Sequence, residues 1–250
     1  MFTNHFLKPG KGIEKNEKKK NGFFQFFFSS YLYFTKIFAI NFTALPLIAL
    51  FGFFMESVKG EMGISVGQSY IFNIFAMVYF TVAGISLLTF PLTLISSYLA
   101  KEEPCFFVSD YIKAFKDNFK ESLIIFIINS VVFYLFTVSY RFYFINSLGG
   151  AMKIGFVAVM GIYLMMNIYI GYLTVTFRLT VGEIYKKALI FTLVNLPQNI
   201  MIILILAVVY GLAFMITTLL GYTISSLLLY GFMLLFVNLY ASRTVEKYRK

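Results

Sequence analysis

The sequence predicts an all-α fold: a polytopic membrane helix bundle of six transmembrane helices arranged as three hairpins with cytoplasmic amphipathic lead-in helices. Three observations carry this. The 250-residue chain is 60% hydrophobic and 13% charged, with a mean hydropathy of +0.81, more apolar surface than a soluble domain of this length can cover. Apolar runs of about 20 residues recur, the length that crosses a hydrocarbon core. The basic residues, finally, gather on alternate sides of those runs.

The runs place spans at roughly 36–55, 71–97, 122–144, 154–177, 199–219 and 222–240. The last two come from one uncharged stretch; as a single helix, 199–240 would be about 60 Å long, twice the hydrocarbon thickness. Leu220-Gly221-Tyr222 is the expected hairpin between them. With the N-terminus in the cytoplasm, 18 of the 21 basic residues fall inside, leaving Lys59, Arg141 and Lys153 outside. That separation follows the positive-inside rule, and five spans would spoil it by sending Arg243, Lys247, Arg249 and Lys250 outside. The net charge of +10 is thereby explained by topology, and no nucleic-acid partner is expected.

The chain divides into a lysine-rich cytoplasmic tail (1–21), a six-span membrane domain (22–241) and a basic cytoplasmic C-terminus (242–250). The tail has no apolar core or small-residue cleavage site, so insertion is expected to rely on the first span. It suits either an anionic lipid surface or a disordered retention signal. The stretch "GFFQFFFSSYLYF" (22–34) would make span one too long and is read as an interfacial helix that bends into the membrane near Lys36.

Residues 109–122 fit an amphipathic helix on the inner surface, with Ser109 as N-cap and Asp110 in the first turn. Tyr111, Ile112, Phe115 and Phe119 form its apolar face, where Tyr111, Phe115 and Phe119 are membrane-interface anchors. Lys113, Lys116 and Lys120 lie on the polar face with Asp117 and Glu121, and these lysines with Asn118 are the candidate partner-binding residues. The pattern Lys-x-Phe-x-x-Asn-Phe occurs at 36–42 and 113–119, with a looser copy in "KKALIFTLVNLP" (186–197). Each enters an odd-numbered span, which suggests a threefold parallel internal repeat. The copies serve as plain anchors or as a cytoplasmic docking face.

Three stretches, "FPLTLISSYLAKEEP" (90–104), "DYIKAFKDNFKESL" (110–123) and "RLTVGEIYKKALIFTLVNLP" (178–197), together resemble the YesL-like integral membrane proteins of Gram-positive bacteria, a domain of unknown function. The similarity covers roughly 22–241. The chain departs from the pattern in its longer lysine-rich tail and in having no tryptophan. The resemblance implies a small polytopic protein without assigned chemistry, and an accessory role beside carbohydrate ABC importers.

Catalytic machinery is hard to find. The single His5 and single Cys105 exclude the usual zinc and Cys–His constellations, and no disulfide within the chain is possible. No paired carboxylates, nucleophile elbow or phosphate-binding lysine is legible, so neither an enzyme nor a cofactor is expected. Asn129 and Asn167 are the intramembrane polar candidates, with Asn238 near the end of span six. Each bonds neighbouring helices or meets a solute. The expected function is a non-catalytic integral membrane accessory subunit in the cell membrane that binds membrane lipids and the permease of a carbohydrate ABC importer. The alternative is a stand-alone carrier or channel for a small solute.

The topology is testable: reporters fused after residues 60, 148 and 221 should read outside, and those after 105, 185 and 248 inside. A C-terminal reporter that reads outside contradicts six spans.

Overall fold

The structure is a computed structural model that describes residues 22–63, 65–84, 87–145, 150–215 and 217–248. The lysine-rich tail 1–21 and the last two basic residues lie outside them. The regular structure of the described residues is all helical: α1 (Gly22–Leu32), α2 (Phe34–Met62), α3 (Val66–Ala83), α4 (Thr89–Ala100), α5 (Phe107–Asp117), α6 (Phe119–Tyr140, continued by a π-helical turn Arg141–Ile145), α7 (Gly150–Thr176), α8 (Val181–Val194), α9 (Leu196–Phe214), α10 (Thr218–Ile224), a π-helical turn Ser225–Leu229, and α11 (Tyr230–Lys247). Five helices are long and apolar enough to cross a membrane: Phe34–Met62, Phe119–Phe144, Gly150–Thr176, Leu196–Phe214 and Thr218–Lys247. They mark a multi-pass membrane protein.

The expected second span, 71–97, is not one helix. It is α3 and α4, separated at Gly84, which takes the left-handed conformation (φ 53°). A Cβ there would sit 2.7 Å from the Thr89 hydroxyl, so the break suits glycine doubly. Span one, by contrast, runs longer than expected. α2 continues to Met62, and Glu56 and Lys59 lie inside it, with buried Lys59 bonded to Glu56 and, at 3.1 Å, to Ser69 Oγ of α3.

The helix boundary expected at 220–222 comes earlier: α9 ends at Phe214 and α10 begins at Thr218. Thr217 caps α10, its hydroxyl accepting from the Leu220 N–H at 3.2 Å. Gly221 is helical, and a Cβ on it would strike the Phe214 ring. It is glycine for close packing, which a sequence reader mistakes for a turn.

Three residues bend the chain in the same way. Tyr33 (φ −112°, ψ 23°), Asn118 (−115°, 15°) and Asn195 (−114°, 31°) each separate a shorter helix from a longer one. Their N–H groups still reach the carbonyls four residues back, on Ser29, Ala114 and Phe191, at 3.0–3.2 Å. At two of the bends the asparagine amide donates to that same carbonyl, Asn118 to Ala114 and Asn195 to Phe191, both at 3.1 Å. At both positions the carbonyl thus accepts twice, from the backbone N–H and from the side-chain amide of one asparagine, which holds the bent segment to the preceding turn.

This geometry corrects three sequence expectations. The helix expected over 109–122 ends at Asp117. Its N-cap is Phe106, not Ser109, because the Asp110 carboxylate reaches back to accept from the Phe106 N–H at 2.7 Å. The first Lys-x-Phe-x-x-Asn-Phe copy lies wholly within α2, and its bend comes three residues before Lys36, at Tyr33.

The core forms where α4, the second half of α7 and α11 pack on one another. Asn238 of α11 donates to Ser96 of α4 at 3.3 Å, and Lys101 lies over the Tyr172 ring of α7. At their shared end α1 crosses them: Gln25 donates to the Ala100 carbonyl at 2.9 Å and accepts from Arg243. α2 and α11 pack closely at Gly231, where a Cβ would lie 2.9 Å from the Ile37 carbonyl oxygen. There Asn41 accepts from the Gly231 N–H at 2.6 Å and donates to the Leu228 carbonyl at 3.2 Å.

Overpacking a backbone contact costs about 1–3 kcal/mol. Gly231→Ala should therefore lower the melting temperature in detergent, whereas Gly155→Ala, which meets nothing within 4 Å, should not. Equal melting of the two variants contradicts the contact.

Candidate functional site

At the end of the bundle that holds the shorter lead helices, a cleft of about 680 Å³ opens between α4, the α5–α6 bend, the end of α7 and the start of α8. The bend at Asn118 builds one wall: it aligns Asp110, Lys113 and Asp117 of α5 with Glu121 of α6. The loop after α7 adds Arg178, and α8 adds Glu183. Two of the carboxylates are already engaged. Asp110 caps α5, as above. Glu183 accepts from the Thr180 N–H and hydroxyl, both at 2.9 Å, and these bonds hold its carboxyl below the usual carboxylate range. Lys113, Asp117, Glu121 and Arg178 form no ion pair among the described residues, so two cations and two carboxylates face the cleft with their hydrogen-bonding capacity unspent.

Of the sequence-predicted site residues, Lys113 and Asn118 line this cleft. Asn118 is half-buried and its amide is occupied by Ala114. Lys116 and Lys120 are exposed away from it, and the bend places Lys120 on a different helix from the other two lysines. The three therefore do not share one helical face. Of the anchors, Phe115 and Phe119 stack edge to face across the bend, centroids 5.4 Å apart. Tyr111 turns inward, its hydroxyl donating to the Leu88 carbonyl at 3.0 Å. Phe106, Val108 and Ile112 are the other exposed apolar side chains of this segment.

Above the cleft lies a buried polar network. Asn129 is fully enclosed: its amide donates to the Ala83 carbonyl at 2.6 Å, its oxygen accepts from the Tyr163 hydroxyl at 2.6 Å, and its backbone carbonyl accepts from Tyr79 at 2.8 Å. Ala83 is the last residue of α3, so Asn129 satisfies a carbonyl left by the helix break. Asn167 is different. Its amide donates to the Tyr163 carbonyl at 2.9 Å, but its oxygen is buried without a partner, as is the Tyr185 hydroxyl.

Sequence reasoning missed the second such network. Asn199 accepts from Tyr169 at 2.6 Å and Tyr240 at 2.8 Å while donating to the Thr192 carbonyl at 3.1 Å. It also missed Asn41. The available signal was asparagine near span entrances in a chain with 18 tyrosines, but which ones meet depends on helix packing. Among the described residues no group of three His, Cys, Asp or Glu side chains is placed to hold a metal ion. Burial, then the Asp110 carboxylate, pushes the Cys105 thiol up to about 11, which leaves it protonated and slow toward electrophiles.

An interhelical amide bond in a membrane protein contributes about 0.6–2 kcal/mol. Asn129→Leu, which orphans the Ala83 carbonyl and the Tyr163 hydroxyl, should lower thermal stability, whereas Asn167→Leu removes an unpartnered oxygen and should leave it level or raise it. The opposite order of melting temperatures contradicts these roles.

Comparison with protein-family models, with curated proteins and with solved structures finds no match to this chain.

Proposed function

We propose that this chain is a non-catalytic membrane subunit that docks a partner on the face formed by its lead helices. The supporting observation is the cleft at the α5–α6 bend, with the unpaired Lys113, Asp117, Glu121 and Arg178, flanked by the exposed Lys116, Lys120 and Lys186. Exposed charges contribute little to folding, yet collectively they steer and orient a complementary surface. The resemblance to YesL-like proteins extends the proposal to the partner: the permease of a carbohydrate ABC importer in the cell membrane.

The same reading takes α3 and α4 as one broken span, which makes six spans in three hairpins with both termini cytoplasmic. In its favour, α3 is tied by Ser69 to Lys59 near the far end of α2, while α4 is tied by Ala100 to Gln25 at the lead-helix end. The recurring bend at Tyr33, Asn118 and Asn195 gives each hairpin the same entrance. A second reading, a carrier for a small solute, is favoured by the unpartnered Asn167 oxygen beside a broken helix. It requires transport in proteoliposomes that contain this protein alone.

Charge reversal tests the docking. Lys113→Glu, Lys116→Glu and Lys120→Glu together turn attraction into repulsion, and recovery of the co-purifying permease should fall about tenfold or more, with membrane insertion unchanged. Equal recovery at low salt by wild type and triple variant contradicts the proposal.

A further inference from the structure

A second groove lies at the opposite end of the bundle, between the second half of α2 and α6, with a volume of about 570 Å³. Phe51 and Phe133 close its floor, their ring centroids 5.8 Å apart. Phe54, Val58 and Tyr134 form its walls, Thr137 spends its hydroxyl on the Tyr134 carbonyl at 2.7 Å, and Ser130 is the other hydroxyl of the lining, so the interior offers an occupant mainly apolar contact. At the rim stand Glu61, in the last turn of α2, and Arg141, at the end of α6. Both are exposed, and neither forms an ion pair among the described residues.

Three features define the occupant. The lining rises about 15 Å along α2 from Phe51 to Glu61 and about 22 Å along α6 from Phe126 to Arg141, against about 15 Å for half the hydrocarbon thickness, so the groove is deep enough for the acyl chain of one leaflet. Its apolar interior matches an acyl chain. Its rim carries one cation and one anion, so an anionic headgroup would leave Glu61 facing like charge. A zwitterion answers both: its phosphate pairs with the Arg141 guanidinium, which accommodates phosphate oxygens bidentately, and its ammonium pairs with the Glu61 carboxylate. Only a primary ammonium brings N–H donors to that carboxylate. We propose that the α2–α6 groove is a binding site for phosphatidylethanolamine in the leaflet opposite the lead helices, with Arg141 holding the phosphate and Glu61 the ammonium. This does not depend on the docking role assigned to the other end of the molecule.

The test uses the full-length protein in vesicles of equimolar phosphatidylethanolamine, phosphatidylglycerol and phosphatidylcholine with identical acyl chains, followed by gentle detergent extraction and native mass spectrometry of the retained lipid. Wild type should retain phosphatidylethanolamine over each of the others by about fivefold, the discrimination one exposed charge pair supplies. Glu61→Gln should bring the three lipids to near parity, and Glu61→Asp should keep most of the preference. Arg141→Gln should reduce retention of all three phospholipids, and Val58→Trp, which fills the groove, should abolish it. Both rim residues are exposed, so the charge variants should melt like wild type. Retention of all three lipids equally by wild type, a preference for phosphatidylglycerol, or an undiminished preference in Glu61→Gln overturns the proposal. So does a groove that retains a second protein chain in place of lipid.

Discussion

Inside a bilayer no water completes the hydrogen bonds of the backbone, so every break in a helix must be repaired by the protein itself. This constraint organises the structure. Among the places where the helix path breaks or bends are Asn118, Asn195, Gly84 and the π-helical turn before α11. At each of these places an asparagine amide meets a carbonyl: Asn118 on Ala114, Asn195 on Phe191, Asn129 on Ala83 and Asn41 on Leu228. Asparagine serves because one short side chain both donates and accepts. Asn41 uses both capacities, pairing with Leu228 and with the Gly231 N–H on the same turn. The breaks thus become points of attachment between helices.

What the sequence made legible follows from how local each signal is. The length of the apolar runs identifies membrane-crossing helices, since length and hydropathy belong to the segment alone. The bends at Asn118 and Asn195 lie within two of the three segments singled out as entrances, because a lead helix and the helix it enters differ in polarity. Packing leaves no such local mark. Gly221 reads as a turn residue, but its role is set by Phe214. The split at Gly84 lies inside an apolar run that reads as one continuous helix, and what stabilises it is Asn129, 45 residues further on. Tyr33 bends the chain without an asparagine, three residues before the Lys36 near which the bend was expected.

The two ends of the molecule differ chemically for related reasons. At the lead-helix end, bends and caps bring charged side chains together at angles a straight helix could not present, so Lys113, Asp117, Glu121 and Arg178 surround one cleft. At the opposite end, α2 and α6 end near each other without a connecting segment, and their apolar faces leave a groove with a single charge of each sign at its rim. Between the ends, tyrosine–asparagine networks centred on Asn129 and Asn199 tie the helices together. The Asn167 oxygen and the Tyr185 hydroxyl are buried beside them without a partner, and the Asn167 oxygen is where an added donor, a water or a solute hydroxyl, has an acceptor waiting.

The claim that asparagine amides repair the helix breaks is tested most directly at Asn41. Amide hydrogen exchange of residues 228–233 would be followed in lipid nanodiscs for wild type and for Asn41→Leu. With its acceptor removed, the Gly231 N–H should exchange at least about tenfold faster, the effect of losing one buried bond of ordinary strength, while the α4 and α7 amides keep their protection. Unchanged exchange at Gly231 would contradict the account.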